Sequence, residues 1–311
     1  NLSATTPINN MYGAGQLGTG SYVSRVERIR DIYLDRQIRT ELENMGKWEM
    51  LAKTYQNLKA VFPEVDNPTG PGLQKQLDEM WSAWEALAAV AGTSDAAAKK
   101  GVVYEKAAGV AEMLNLRSSL LTNIQIDLNS EMRPVLDRIN NLTSQLAELN
   151  KSIVSIQGMG QDPNDLLDKR EVALKNLSEL ININVAEKSD GSIYVQVKGH
   201  MLVSEGKNNE LTFLGGEKDS KFERIGLYEY QGGRPVDITD KIVNGQLAGL
   251  IYGRDTVVHG YQVQLDNLAH SLITVVNKFH QAADPVGRQF FVGEKATSIG
   301  VNQQLQNGTY I

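Results

Sequence analysis

From Leu128 to Ile156 the apolar residues fall at alternating spacings of four and three without a miss: Leu128, Met132, Val135, Ile139, Leu142, Leu146, Leu149, Ile153 and Ile156. A mean spacing of 3.5 residues places these side chains on one slowly winding line of an α-helix, a coiled-coil seam of about four heptads. Such a line needs a second helix laid along it. Tyr261, Leu265, Leu268, Leu272, Val275 and Phe279 repeat the spacing inside a helix expected over about 246–283. Both stripes belong to one molecule, so pairing within the chain is the simpler arrangement, with closure between chains left open. Pro134 lies inside the first stripe and carries no N–H, which predicts a kink or a helix restart there.

Around the stripes the chain divides by its local patterns. Residues 1–20 hold Asn, Thr, Gly and one Pro without apolar period and read as a linker. A helical pattern runs from Ser21 to Glu64 through Ile29, Tyr33, Leu34, Ile38, Leu42, Met45, Leu51, Tyr55, Leu58 and Phe62, and Pro63 ends it. After the turn cluster 68–72 a second helix carries Leu73, Leu77, Trp81, Trp84, Leu87 and Val90 on one side. The heptad helix stops at Gly158-Met-Gly160, and Leu167, Leu174, Leu177 and Ile181 mark a shorter helix folding back on it as an antiparallel hairpin. The period then changes to two: Ile183 and Val185, a Ser189-Asp190-Gly191 turn, then Ile193, Val195 and Val197. Further strands are expected at 201–203, 211–214, 225–230 and 236–238. The fold class that results is mainly α with a β insertion (α+β), an elongated multi-helix bundle with long coiled-coil-like helices. Its parts are a linker (1–20), a first bundle portion (21–185), a small β module (186–245), a helix completing the bundle (246–290) and a truncated connection (291–311).

Composition removes most chemistry. The chain has no cysteine, so disulfides, thiolate nucleophiles and Cys-ligated metals are excluded. A net charge of -6 without a basic patch argues against nucleic acid and against an anionic membrane surface. Aromatics are only 6%, which suits helices packed side by side better than a deep ligand cavity. Gly13, Gly15 and Gly18 spell a dinucleotide loop, yet no strand-like run precedes them. His200, His259, His270 and His280 form no ligand spacing, and Asp162, Asp165 and Asp168 read as first-turn charges favoured by the helix dipole. No nucleophile motif is present. Trp81 and Trp84 serve either core packing or a partner contact. The expectation is a non-enzymatic chain without catalytic, cofactor or metal residues, whose structural residues are the two seams.

Several phrases, in order, resemble a known family. Gly20–Leu34 (GSYVSRVERIRDIYL), the Trp81-Ser-Ala-Trp84 stretch with Leu87, Arg133–Ile153 (RPVLDRINNLTSQLAELNKSI), Asn164–Leu180 (NDLLDKREVALKNLSEL) and Gly245–Asn277 are similar to the hook–filament junction family of flagellar hook-associated proteins. Asp190-Gly191, Leu202-Val203 and Phe290-Phe291 also find counterparts, whereas Tyr22 and the glycine-free 280–283 depart from the pattern. The resemblance implies a structural axial subunit without the family's terminal helices. It also implies export unfolded through the flagellar channel to the cell exterior, and assembly with copies of itself, the hook protein and the filament-side junction protein. The isolated chain would be monomeric. A coiled-coil scaffold of another secretion or surface assembly would share the heptads but not the inserted β module.

Overall fold

The computed structural model describes residues 31–63, 72–215, 222–229 and 233–306, together with the backbone of short strands nearer the N-terminus. Those strands, β1 (Leu2–Ala4), β2 (Ile8–Asn9), β3 (Gln16–Leu17) and β4 (Ser21–Val23), pair as β1 with β4 and β2 with β3, both antiparallel. Backbone expected to be linker therefore holds nested strand pairs, and Ser21 is in a strand instead of opening a helix. Gln16–Leu17, inside the glycine motif, is a strand as well; the motif's glycines lie outside the described residues.

The first helix, α1 (Ile32–Val61), begins where Asp31 caps it: its Oδ1 accepts the backbone N–H of Tyr33 at 2.9 Å and of Leu34 at 3.2 Å. Then follow α2 (Leu73–Ala89), α3 (Ala96–Gly158) and α4 (Asn164–Leu180). At 63 residues α3 is about 95 Å long. It passes through Pro134 without restarting. Pro134 is exposed, so water can reach the carbonyl that its missing N–H leaves open. After the β module come α5 (Gln246–Tyr252), a π-helical turn (Gly253–Val258) and α6 (His259–Ala283).

These helices form a three-rod shaft. One rod is α3. A second is α1 followed by α2, both antiparallel to α3: Lys53 meets Glu131 at 2.7 Å, and Glu79 meets Lys106 at 2.6 Å. The third is α4 followed by α5, the π turn and α6. Gln246 Nε2 donates to Glu179 Oε1 at 2.8 Å across the break, and Gln262 reaches Thr122 at 3.3 Å further up. The β module leaves the third rod at that break, between α4 and α5.

Eight residues of the first stripe are placed as follows: Leu128, Met132, Val135, Ile139, Leu146, Leu149 and Ile153 are buried, and Leu142 is half-buried against the same core. Their cover is α4 along the C-terminal half of α3, with α5 and the π turn at its middle. The second stripe does not close on the first. Leu265 and Leu272 are buried, but Tyr261, Leu268, Val275 and Phe279 are exposed. Packing on α6 instead uses Leu265, Ala269, Leu272, Ile273, Val276 and Asn277, a face turned by part of a revolution from the expected one. That helix touches α3 at the opposite end from the heptads. The two tryptophans also part: Trp84 stacks on Phe290 at 5.2 Å, while Trp81 is exposed.

The module holds two antiparallel sheets. One is four-stranded, in the order β5 (Asn184–Glu187), β6 (Ile193–Val197), β7 (His200–Ser204), β8 (Lys207–Asn208); the other runs β11 (Val236–Asp237), β10 (Arg224–Leu227), β9 (Leu211–Leu214). Alternation on β6 turns Ile193, Val195 and Val197 inward. The β5–β6 turn is fixed by Asp190 Oδ1, which accepts from the N–H and the hydroxyl of Ser192, with Gly191 at φ +79°. Beyond α6, β12 (Phe291–Val292) pairs with β13 (Gly300–Val301) and buries Phe290 and Phe291 against the shaft, so the stretch expected as a truncated connection begins with a docked hairpin.

Candidate functional site: the seat of the β module on the shaft

For a chain whose sequence offers no catalytic constellation, the working parts are the joints. Among the described residues no group of three or more His, Asp or Glu side chains could hold a metal ion, and no helix is long and apolar enough to cross a membrane. Of the histidines, His259 and His270 are exposed, His200 pairs with Glu229 at 2.6 Å, and His280 Nδ1 lies 2.9 Å from the Arg288 carbonyl. An open groove of about 1050 Å³ lies between the C-terminal end of α3 (Lys151, Val154, Ser155) and the module, lined largely by polar residues.

Asparagine amides make the first set of joints. A carboxamide has one acceptor and two donors, so it can pair with a backbone N–H and C=O as a neighbouring strand would. Asn150 does this for Ile193, donating to its carbonyl at 2.9 Å and accepting its N–H at 3.2 Å. Ten residues earlier on α3, Asn140 holds Leu211 in the same way, both bonds at 2.9 Å. One helix thus grips both sheets. Asn277 accepts from Phe290 and Phe291 and donates to the Phe291 carbonyl, which seats the C-terminal hairpin on α6. From α4, buried Arg170 reaches the Gly191 carbonyl at 2.6 Å and Glu187 at 3.1 Å, gripping the β5–β6 hairpin.

Arg254 is the second joint and ranks among the largest fully buried side chains. It is the second residue of the π turn, and its guanidinium binds Asp255 through two bonds (2.6 and 2.8 Å), Asn129 at 2.6 Å and the Glu223 carbonyl at 3.0 Å. Phe222 covers it, 5.2 Å from ring centre to guanidinium carbon. Its own carbonyl accepts from Gln125 at 3.0 Å. The long planar fork satisfies in one place acceptors from α3, the third rod and the second sheet, which a lysine could not do.

The neck is the third joint, where the chain enters the module after α4 and returns before α5. Asn182 binds the returning strand at four points: its N–H donates to the Asn244 carbonyl, its Oδ1 accepts from Val243 and Asn244, and its Nδ2 donates to the Lys241 carbonyl. Gly245 has φ +86°, and a Cβ there would lie 2.5 Å from the Ile181 nitrogen, so only glycine fits. Four residues on, a Cβ at Gly249 would lie 2.7 Å from the Lys47 carbonyl, which is how closely α5 lies on α1. Beside this crossing Glu43 is buried, its Oε1 accepting the Ile183 N–H at 2.9 Å. Burial pushes its carboxyl up from the ordinary 4.5 to about 7, against the lowering effects of the Ile183 bond, Arg39 and Lys198. None of Glu43, Asn140, Asn150, Asn182, Asn277 or Arg254 stands out in sequence, because each acts on a partner far along the chain.

A family model described as the flagellar hook-associated protein FlgK helical domain matches residues 60–291. Flagellar hook-associated protein 1 of Bacillus subtilis is 31% identical over 290 residues, covering 86% of this chain and 56% of that protein. Its Escherichia coli counterpart is 25% identical over 305 residues, 96% of this chain and 54% of that one. The structure of the flagellar hook junction protein FlgK from Burkholderia pseudomallei aligns with a TM-score of 0.68 at 25% identity, over 82% of this chain and 46% of that chain. The chain therefore spans about half the length of the curated relatives it matches. With the helical-domain match running from the end of α1 to Phe291, through α2, α3, the inserted module and α4 to α6, the chain belongs to the FlgK family of flagellar hook-associated proteins.

Proposed function

We propose that the chain is the stiff middle portion of a non-enzymatic flagellar subunit that joins hook to filament. The observation that carries this reading is the family match laid over a shaft built around one unbroken helix of 63 residues. Long packed helices resist bending along their axes, and a module pinned at three joints moves with them. A rigid subunit of this kind suits a boundary between a flexible and a stiff segment. Copies of the same protein, the hook protein and a filament-side junction protein are its partners, and the subunit works outside the cell after export through the flagellar channel.

An in-frame deletion of this segment from its gene in the source bacterium tests the reading. Hooks without filaments are expected, with filaments restored by the intact gene. Normal filaments on the deletion strain would contradict it.

A further inference from the structure

Two helix faces on this molecule carry apolar heptad spacing and stay largely open among the described residues. On α1 the buried side is Gly46, Leu51, Thr54, Leu58 and Val61. The side turned away from it bears Leu34 (51% exposed), Met45 (53%), Trp48 (64%) and Tyr55 (49%). Ile38 and Ala52 fill the same line, so its steps from Leu34 to Ile38 and from Met45 through Trp48 and Ala52 to Tyr55 are fours and threes. On α6 the line runs through Tyr261 (37%), one side of whose ring rests on Phe62 at 5.6 Å between centroids, and then through Leu268 (39%), Val275 (50%) and Phe279 (69%), at steps of seven, seven and four. Each stripe is about 30 Å long. Seams of this spacing are covered by helices that carry the same spacing.

The two stripes lie on opposite halves of the shaft. Lys53 of α1 sits level with Glu131 of α3, and most of the α1 stripe extends from there toward the C-terminal end of α3. Gln262 of α6 sits level with Thr122, and the α6 stripe extends toward the N-terminal end. Their centres are therefore offset by about 40 Å along the shaft. Both helices also run in the same direction, since both are antiparallel to α3. One molecule cannot close its own two stripes, but two parallel molecules slid past each other by that offset can.

We propose that the α1 stripe of one copy packs against the α6 stripe of a second, parallel copy displaced by about 40 Å along the shaft. A contact of unlike faces with an offset along the shaft repeats from copy to copy without closing, so it builds open staggered rows and not closed pairs. Each stripe exposes about 400 Å² of apolar side chain, at the scale of a functional surface patch. The two together bury about 800 Å², less than the roughly 1,200–2,000 Å² of a stable free-standing complex. Such a contact leaves isolated chains monomeric at low concentration and acts where many copies are held in line. It gives a geometry to the self-association within the junction reading and rests on that reading for its setting.

The chain has no cysteine, so engineered thiols report this contact alone. In the 311-residue chain, the pairs Met45→Cys with Leu268→Cys and Trp48→Cys with Val275→Cys are oxidised at high protein concentration. A control pair, Asn57→Cys with His270→Cys, places thiols on exposed positions of the same helices away from the stripes. Denaturing electrophoresis without reductant should give ladders of dimers, trimers and larger species at least tenfold faster than the control, with circular dichroism unchanged. Single-cysteine variants should dimerise only at the control rate. Ladders no faster than the control, or Trp48→Cys alone dimerising as fast as the pairs, would overturn the proposal. Failure here leaves the deletion phenotype untouched. Ladders with normal filaments on the deletion strain would keep the contact and remove its flagellar setting.

Discussion

Replacing Glu43 with glutamine should stabilise the protein above neutral pH and leave it nearly unchanged in mild acid. The buried carboxyl has its folded-state value raised from 4.5 to about 7. Folding therefore takes place without penalty below pH 4.5, where both states hold the proton. Between about pH 4.5 and 7 the unfolded chain releases it and the folded chain does not, so stability falls as pH rises, and the loss is complete above about 7. At 1.36 kcal/mol per pH unit the loss is about 3 kcal/mol. The glutamine side chain would keep an oxygen for the Ile183 N–H and carry no charge to bury. With an unfolding entropy of about 2 cal/mol/K per residue over 311 residues, 3 kcal/mol corresponds to roughly 5 °C. Thermal melts of the parent and Glu43→Gln at pH 5 and pH 8 measure the difference. A gain of several degrees at pH 8 with little at pH 5 is expected. An equal effect at both pH values, or a loss at pH 8, would refute the argument that an ionised carboxylate strains the neck.

Three other substitutions probe the remaining joints. Gly249→Ala forces a methyl toward the Lys47 carbonyl at 2.7 Å and the Met50 side chain, and should lower stability by about 2–3 kcal/mol in denaturant melts; a change below about 0.5 kcal/mol would mean that α5 can simply shift. Arg254→Met leaves Asn129 and the Glu223 carbonyl without their donor, a loss of about 3 kcal/mol. Hydrogen exchange in residues 224–227 should speed up by about a hundredfold while the 128–153 amides stay protected, and uniform speeding would show that Arg254 does not act at the module. Asn150→Leu strips both partners from the Ile193 backbone and should cost about 2 kcal/mol, read as faster exchange of the Ile193 amide with Leu211 unaffected.

The α3 stripe was legible because seven of its eight principal residues are buried along one face, and counting apolar residues at 3.5 detects that directly. Its partner was not. On α6 the steps Tyr261–Leu265–Leu268–Leu272–Val275–Phe279 and Leu265–Ala269–Leu272–Val276–His280 both satisfy helical spacing, and the packing of α3 and the β12–β13 hairpin against it decides which turns inward. The same double reading occurs on α1, where Met45, Trp48 and Tyr55 fit a seam that the shaft does not use. Alternation and the Asp190-Gly191 turn made the β5–β6 hairpin visible, since both are local signals. The joints were hidden for the converse reason. Asn140 bonds Leu211 and Asn150 bonds Ile193, separations of 71 and 43 residues, and an asparagine on a helix carries no mark of that in its surroundings.

Electron microscopy of the assembled hook–filament boundary in the source bacterium tests the central claim directly. Three-helix rods about 95 Å long should lie along the flagellar axis at that boundary, with neighbouring copies parallel and offset by about 40 Å. Rods lying across the axis, or no density of this shape between hook and filament, would contradict it.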